Sequence, residues 1–502
     1  MPENVQTTGR AKDPGKVLVV LLLAGVSFAL SQTMVVPALP AFSEAFDTSA
    51  SASSWLLTGY LLSASVATPI VGKLGDLYGK GRVLTIVLLI FSVGSVVCAL
   101  GESIGVVIAG RVIQGVAGGV FPLSFGIVRD TFPRERVANG LGLLSAIFGI
   151  GGGIGLPLGG VFVDHLDVSL VFWFGLLGLP AALAAHRLIP ASPVVERARI
   201  DWLGAVLLSA ALASVLLGVT EANALGWTSA ATLALLIGGA ALLALWGWVE
   251  SVREEPLIDF RVLRGRTVAA TNLTALLVGF AMFSSFLLIP QLAQTPEATG
   301  YGFGMSVTGA GLILAPAALA QLVTGPLAGR FGTRFGFRTV LATGGACVMA
   351  SFAWLALEHS SAWHLAVAGA LLGAGISLAL ASMANLIVDA VRQTEVGIAT
   401  GINTVTRTVG GAFGSAVATA IITSEAAVRH ALPDRGGLHH GLRGRGGGRA
   451  ARAERRSAHP HPAGEPSGLG GRWAMCRPPR RSGADATGLR TGADPVTLVA
   501  GG

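Results

Sequence analysis

The chain has 502 residues, 52% of them hydrophobic and 12% charged, with a mean hydropathy of +0.68. A soluble domain carries roughly 25% charged residues, and single cores stop growing at about 250–300 residues, so one water-soluble globule is excluded and a bilayer replaces water over much of the surface. The formal charge of +8 is local: from residue 426 onward 13 arginines stand against 5 acidic residues, whereas residues 1–425 carry 22 basic and 22 acidic residues, which gives the body no charge for binding nucleic acid.

Seventy glycines among long Leu, Val and Ile runs suit helices packed closely in lipid, where small residues let backbones approach. Cys98, Cys347 and Cys476 have spacings of neither a disulfide framework nor a metal site. No metal and no cofactor are expected.

A helix needs roughly 20 apolar residues to cross a hydrocarbon core of about 30 Å. Thirteen segments meet that length: 17–39, 53–72, 83–101, 104–127, 138–163, 169–189, 202–220, 229–249, 268–290, 304–326, 338–357, 363–388 and 397–424. The first is too long for a signal-peptide core, and Pro37 and Pro40 stand where a small-residue cleavage site would follow, so it reads as a retained helix. Lys and Arg concentrate in every second loop, beginning with Arg10, Lys12 and Lys16 and continuing through Lys73/Lys80/Arg82, Arg129/Arg134/Arg136 and Arg330/Arg334/Arg338. The excess of cations on one side predicts a multi-pass protein of the cell (inner or plasma) membrane with its N-terminus in the cytoplasm.

Residues 426–502 break this pattern, being rich in Arg, Gly, Pro, Ala and His without apolar periodicity. After thirteen helices the stretch would lie outside, against the charge rule. Two readings stand: a reading frame shifted near 430–440, with a fourteenth helix missing, or a genuine basic low-complexity tail.

One pattern closes two hairpins. Gly72-Lys73-Leu74-Gly75-Asp76-Leu77-Tyr78-Gly79-Lys80-Gly81-Arg82 follows the second segment, and a related Gly- and Arg-rich run from Gly325 to Arg338 follows the tenth. Glycine permits a tight turn, and internal repetition is a mark of transporters. Asp76 is placed to accept from nearby N–H groups or from Arg136, and with Lys80 and Arg82 forms a latch that breaks when two halves rock.

The loop at 72–82 resembles the signature loop of the major facilitator superfamily. Arg111-Val-Ile-Gln114-Gly115 resembles that family's second motif. The glycine run from Gly149 through Gly155, Pro157 and Gly159 to Gly160 is similar to its antiporter motif, with Pro157 one place later than usual. Asp201-Trp-Leu-Gly-Ala, opening an extra helix pair, looks like the fourteen-helix drug:proton antiporter branch. Asn403-Thr-Val-Thr-Arg407 resembles its penultimate helix. The resemblance implies an all-α polytopic fold of two six-helix halves with an inserted pair, the last helix missing. It divides the chain into a cytoplasmic N-terminus (1–16), an N-terminal half (17–189), the inserted pair with linkers (190–266), a C-terminal half of five recognisable helices (267–424) and the tail (425–502).

Arg111 lies inside an apolar segment, where a midplane charge costs roughly 2.5–3.5 kcal/mol on insertion scales. It must face the bundle interior and find acceptors, for which free carbonyls near Pro37 are expected. The resemblance gives Arg111 a part in proton coupling; a structural clamp between helices is the other reading. Gln114, one turn on, faces the same side. Arg407, four residues from Asn403 and therefore on one face with it, is an intramembrane cation with the same two readings.

Relatives of this kind carry an acidic residue just before the Thr of the first helix, where this chain has Ser31. Proton exchange thus rests on the resemblance, with Asp76, Asp130 or Glu221 as carriers. A midplane cavity between the halves is expected to draw on Gln32, Met34, Phe121, Asn272, Met282, Phe283, Gln321, Asn385 and Asn403, since Met and Phe adapt to varied shapes. Neither paired carboxylates nor a nucleophile–base set stands near a membrane surface, and no ATP-binding signature occurs, so the chain reads as a non-enzyme driven by a gradient. The expected activity is export of small amphipathic or apolar, drug- or antibiotic-like compounds by a monomer using the proton gradient. Export of a specific endogenous metabolite or amino acid, and a non-functional truncated transporter, are the alternatives.

Overall fold

A computed structural model describes residues 13–190, 201–253, 260–297, 302–358 and 360–431. The expectations for the tail beyond 431, for 1–12 and for most of the linkers fall outside these residues. Helices come in chain order as α1 (Pro14–Thr33), α2 (Val35–Ala45), α3 (Ala50–Tyr78), α4 (Lys80–Ala99), α5 (Ile104–Gln114), α6 (Val120–Thr131), α7 (Arg134–Ile150), α8 (Leu156–His165), α9 (Leu170–Trp173) and α10 (Gly178–Leu188). They continue as α11 (Trp202–Leu225), α12 (Ala230–Val252), α13 (Phe260–Arg264), α14 (Arg266–Gln294), α15 (Val307–Leu312), α16 (Ala315–Phe335), α17 (Phe337–Leu357), α18 (Ala362–Ala390) and α19 (Val396–Ala431). Among the described residues there is no strand, and 11 helices are long and apolar enough to cross a membrane. The two other expected spans, 138–163 and 397–424, fall on the α7–α8 run and on α19.

Several helices outrun their apolar segments. The motif after the second segment is mostly helix: α3 continues to Tyr78, Gly79 alone reverses the chain at φ +94°, and α4 begins at Lys80. Gly336, at φ +86°, does the same between α16 and α17. A side chain would be strained at either position. The expected first span, 17–39, is broken at Met34 into α1 and α2. The antiporter-like glycines form a π-turn, Gly151–Gly155, immediately ahead of Pro157 in the first turn of α8. Proline has no N–H to close the normal ladder, and a widened turn absorbs the mismatch.

Asp201 caps α11, its Oδ1 accepting from Gly204 N at 3.0 Å and lying 3.5 Å from Arg253 at the end of α12. A Cβ at Gly204 would stand 2.3 Å from Glu250 Oε1, so the glycine admits the α12 carboxylate. The α11–α12 pair packs through α11 onto α3 and α19. Most of α12 faces outward, with Ile237 and Trp248 exposed, as do Leu273, Leu319 and Val323 elsewhere. An apolar exterior of this kind is stable only against lipid. Two long seams run through the bundle, α7 against α16 and α3 against α19.

Candidate functional site

A chamber of about 160 Å³ opens between α1, α3 and α6 on one side and α14 and α19 on the other. Phe28 and Phe121 meet edge to face on the first side, with centroids 5.7 Å apart. Met282, Phe283 and Phe286 of α14 wall the second. The polar groups are Gln32, several hydroxyls and Arg407 of α19. Those hydroxyls bond backbone: Thr33 donates to Gly151 O at 2.6 Å, Thr68 to Ala64 O at 2.5 Å, Thr404 to Thr400 O and Thr408 to Thr404 O, each at 3.0 Å. Among the described lining residues the only charge is that of Arg407.

A side pocket of about 90 Å³ adjoins this chamber and shares Leu57, Leu61, Phe283, Thr408 and Ser415 with it. Leu216 and Thr220 of α11 close its far wall. The α11 helix therefore borders the cavity region directly.

Of the residues expected in the cavity, Gln32, Phe121, Met282 and Phe283 line it, and Arg407 joins them. The others are turned elsewhere. Met34 is fully buried in an apolar cluster with Phe42 and Phe172. Asn272 and Asn403 pair with each other, Nδ2 of Asn403 donating to Oδ1 of Asn272 at 3.0 Å, which rivets α14 to α19. Asn385 donates to Ala381 O within its own helix at 2.8 Å. Gln321 is buried where its backbone carbonyl accepts from Ser377 at 3.1 Å. Sequence reading missed Phe28, Thr404 and Thr408; Thr404 stands three residues before Arg407 and four before Thr408, a helical spacing that is the signal that could have found the two threonines.

Arg111 lies away from the chamber, completely buried. Its Nε donates to Leu56 O at 2.9 Å, and its Nη1 to Ser31 O at 3.2 Å and to Gln114 Oε1 at 2.7 Å. The guanidinium stacks over Tyr60 at 4.1 Å, and Gln114 donates to Ser95 Oγ at 2.7 Å. Acceptors from the first helix are thus found at Ser31, beside the α1–α2 break, and not near Pro37. A carbonyl of α3 completes the set. One planar fork ties three helices together.

At the end of the bundle carrying the basic loops, Asp76 is buried and accepts from Gly397 N at 3.3 Å and Ile398 N at 3.2 Å, in the first turn of α19. A carboxylate there meets free N–H groups and the positive end of the helix dipole. Lys80 sits 3.5 Å from Asp76 and 3.0 Å from Asp130. Gln393 donates to Asp130 at 2.8 Å, and Arg129 to Val391 O at 3.1 Å. Arg82 and Arg136, expected beside Asp76, are exposed. Their long side chains extend to solvent, and of the two partners foreseen for Asp76, nearby N–H groups or Arg136, it is backbone amides, those of α19, that it meets.

At the opposite end Thr308 Oγ1, in the first turn of α15, donates to Asp164 Oδ2 of α8 at 2.6 Å. The π-turn and α8 fill the space between the two groups of helices. A Cβ at Gly155 would stand 2.0 Å from Thr33 Oγ1, and one at Gly159 2.4 Å from Met34 O, while Pro157 N lies 2.7 Å from where Gly311 would place its own. Among the described residues no cluster of three or more His, Cys, Asp or Glu could hold a metal.

The chain is similar in sequence and in fold to known proteins. The profile of the Major Facilitator Superfamily matches residues 21–296 and 271–426. The MFS-type transporter Rv1877 of Mycobacterium tuberculosis is 29% identical over 83% of this chain, which spans 61% of that relative's length. The tetracenomycin C resistance and export protein of Streptomyces glaucescens is 29% identical, with 86% of this chain and 80% of that protein covered. In fold, the chain is similar to the crystal structure of the human organic anion transporter MFSD10 (TETRAN), at a TM-score of 0.59 and 17% identity, over 80% of this chain and 92% of that one.

Proposed function

The chain belongs to the major facilitator superfamily, a family of multi-pass membrane transporters, and from that membership we propose that it is a secondary exporter. Its cargo is small amphipathic or apolar compounds of drug or antibiotic type, moved by alternating access in exchange for protons across the plasma membrane, with the basic loops in the cytoplasm. The observation that carries this reading is the aromatic chamber held between helices that are also joined nearer the ends of the bundle, Asp76 to α19 at one and Asp164 to Thr308 at the other. Breaking one set while keeping the other would expose the chamber to one side at a time. The name of the Streptomyces relative, an antibiotic export protein, supports cargo of this kind.

The chamber has no lining carboxylate among the described residues, so the proton is assigned to the latch. Asp76 and Asp130 are buried around Lys80 in the closed arrangement and would meet water when it opens. An ionised Asp76 accepts both amide hydrogen bonds, whereas a protonated one cannot hold the same set. Arg111 and Gln114 organise the first helix against α3, and the glycine–proline face of the π-turn and α8 gives the halves room to move.

Inside-out vesicles containing the protein, given an imposed pH gradient, should accumulate an apolar dye and an aromatic antibiotic faster than the same vesicles after the gradient is collapsed. Equal accumulation in both conditions would remove proton exchange. No accumulation above protein-free vesicles in either would remove export. Arg111→Ala should abolish the gradient-dependent part, and undiminished transport in that variant would leave Arg111 a structural clamp only.

A further inference from the structure

The far wall of the side pocket belongs to a helix fastened down on both sides of it. Leu208, Leu212, Leu216, Thr220 and Asn223 recur at intervals of four and three residues, so they share one face of α11. Leu208 and Leu212 lie in a buried cluster with Ile398 and Val405 of α19. Asn223 donates to Ala416 O, also of α19, at 2.9 Å. Leu216 and Thr220 stand between these two attachments and face the pocket. The α19 residues across from them are small, Gly411, Ala412 and Ser415, which leaves the gap of about 90 Å³ unfilled.

The pocket and the chamber meet at one ring. Phe283 lines both spaces, and a Cβ at Gly411 would lie 2.4 Å from its Cδ2, so the ring packs directly onto the bare α19 backbone at the threshold. Leucines of α3 and α11 supply apolar surface beyond it, and Thr58 and Thr220 add hydroxyls. Among the described lining residues of the pocket none is charged, and an ionised group buried there without a partner is strongly disfavoured. A cavity of about 150 Å³ takes a benzene-sized body, and the chamber has about 160 Å³. In the same proportion the pocket's volume of about 90 Å³ takes roughly three or four non-hydrogen atoms.

Building on the exporter reading above, we infer that the side pocket is a second cargo subsite, completed by α11, and that it selects compounds whose ring body, held in the chamber, bears an uncharged and unbranched arm of three or four non-hydrogen atoms. The arm passes beside Phe283, follows the leucines of α3 and ends against Leu216 and Thr220. Leu216 is 5% exposed, and its size sets how long an arm the pocket accepts.

A homologous series tests this: benzamide and its 4-ethyl, 4-butyl and 4-hexyl derivatives, all neutral and identical in their ring. Binding to the purified full chain in detergent is measured by equilibrium dialysis, with empty micelles subtracted. Each buried methylene strengthens binding by up to about fourfold, so the wild type is expected to bind the butyl compound at least tenfold tighter than benzamide. Leu216→Trp, which fills the pocket from its far wall, should bring that ratio below threefold. Leu216→Ala, which lengthens the pocket, should raise the hexyl-to-butyl ratio at least threefold over wild type. A wild-type butyl-to-parent ratio under tenfold overturns the inference without reference to any variant, so a poorly folding substitution does not protect it. An unchanged ratio in either variant, monodisperse on size exclusion, overturns it as well. Gradient-driven accumulation of benzamide itself in wild-type vesicles, read in parallel, separates the two readings. Accumulation with no dependence of binding on the arm sinks only the present inference; arm-dependent binding without accumulation sinks only the transport reading.

Discussion

Asp76, at the end of α3, holds the first turn of α19 through the amide of Gly397, 321 residues away in sequence. The neighbouring Ile398 amide binds its other oxygen. Gly72 and Gly397 make this contact possible: a Cβ on Gly72 would stand 2.5 Å from Gly397 O. A side-chain carboxylate and two glycines in one seam create a contact that is tight yet made of few, breakable bonds.

Replacing the carboxylate by its amide should loosen this end. Hydrogen bonds to a charged acceptor contribute about 1.5–3 kcal/mol and neutral ones about 0.5–1.5, so Asp76→Asn is expected to shift the closed-to-open ratio by about tenfold. Spin labels at the exposed positions Tyr78 and Phe335, on the two hairpin ends, should report a larger long-distance population by pulsed dipolar spectroscopy. An unaltered distance distribution would mean that Asp76 does not hold the closed state.

Two glycine substitutions separate crowding from backbone strain. Gly72→Val forces a side chain against the α19 backbone and should cost about 1–3 kcal/mol by overpacking, expressed mainly as loss of the closed arrangement. Gly79→Ala meets no atom within 4 Å, so its penalty is conformational and about 1–2 kcal/mol. Thermal unfolding in detergent measures both. If Gly79→Ala melted at the wild-type temperature, the positive φ would not be a requirement of the turn.

Arg111→Lys keeps the charge but not the fork. Lys cannot serve Leu56 O, Ser31 O and Gln114 Oε1 in one plane while covering the Tyr60 ring. Each buried acceptor left without a donor costs about 1–3 kcal/mol. The variant should be clearly less stable than wild type, with a smaller yield of monodisperse protein on size exclusion. Wild-type stability would show that a point charge suffices there.

The opposite end offers a smaller effect. Asp164 is exposed and Thr308 half-buried, so solvent reaches and screens their bond. A double-mutant cycle of Asp164→Asn with Thr308→Val should give a coupling below about 1 kcal/mol. Coupling several times larger would assign the main closure to this end rather than to Asp76.

The sequence located the apolar segments because length and hydropathy act locally, and it found Arg111, Asp76 and Arg407 because charges are rare in such surroundings. Its errors share one cause. Met34, Asn272, Gln321, Asn385 and Asn403 were expected in the cavity for being polarisable or polar in mid-span, but a membrane helix is apolar toward lipid and toward its neighbours alike. No hydrophobic stripe therefore tells which face looks inward. Asn403 and Asn272 satisfy each other across a helix pair, which neither helix reveals alone.

By itself, then, the chain determined that it is an all-helical, lipid-solvated protein, where its spans lie and which few charged groups must be accommodated among them, because those properties follow from local composition and the thickness of a bilayer. Only the tertiary structure decided which of these groups meet. It sent Arg111 into a sealed clamp, turned Arg407 toward the chamber, and gave Asp76 the amides of α19 as partners, the first of its two foreseen alternatives, rather than Arg136. Those outcomes depend on how helices far apart in sequence rotate and cross, and packing alone fixes that.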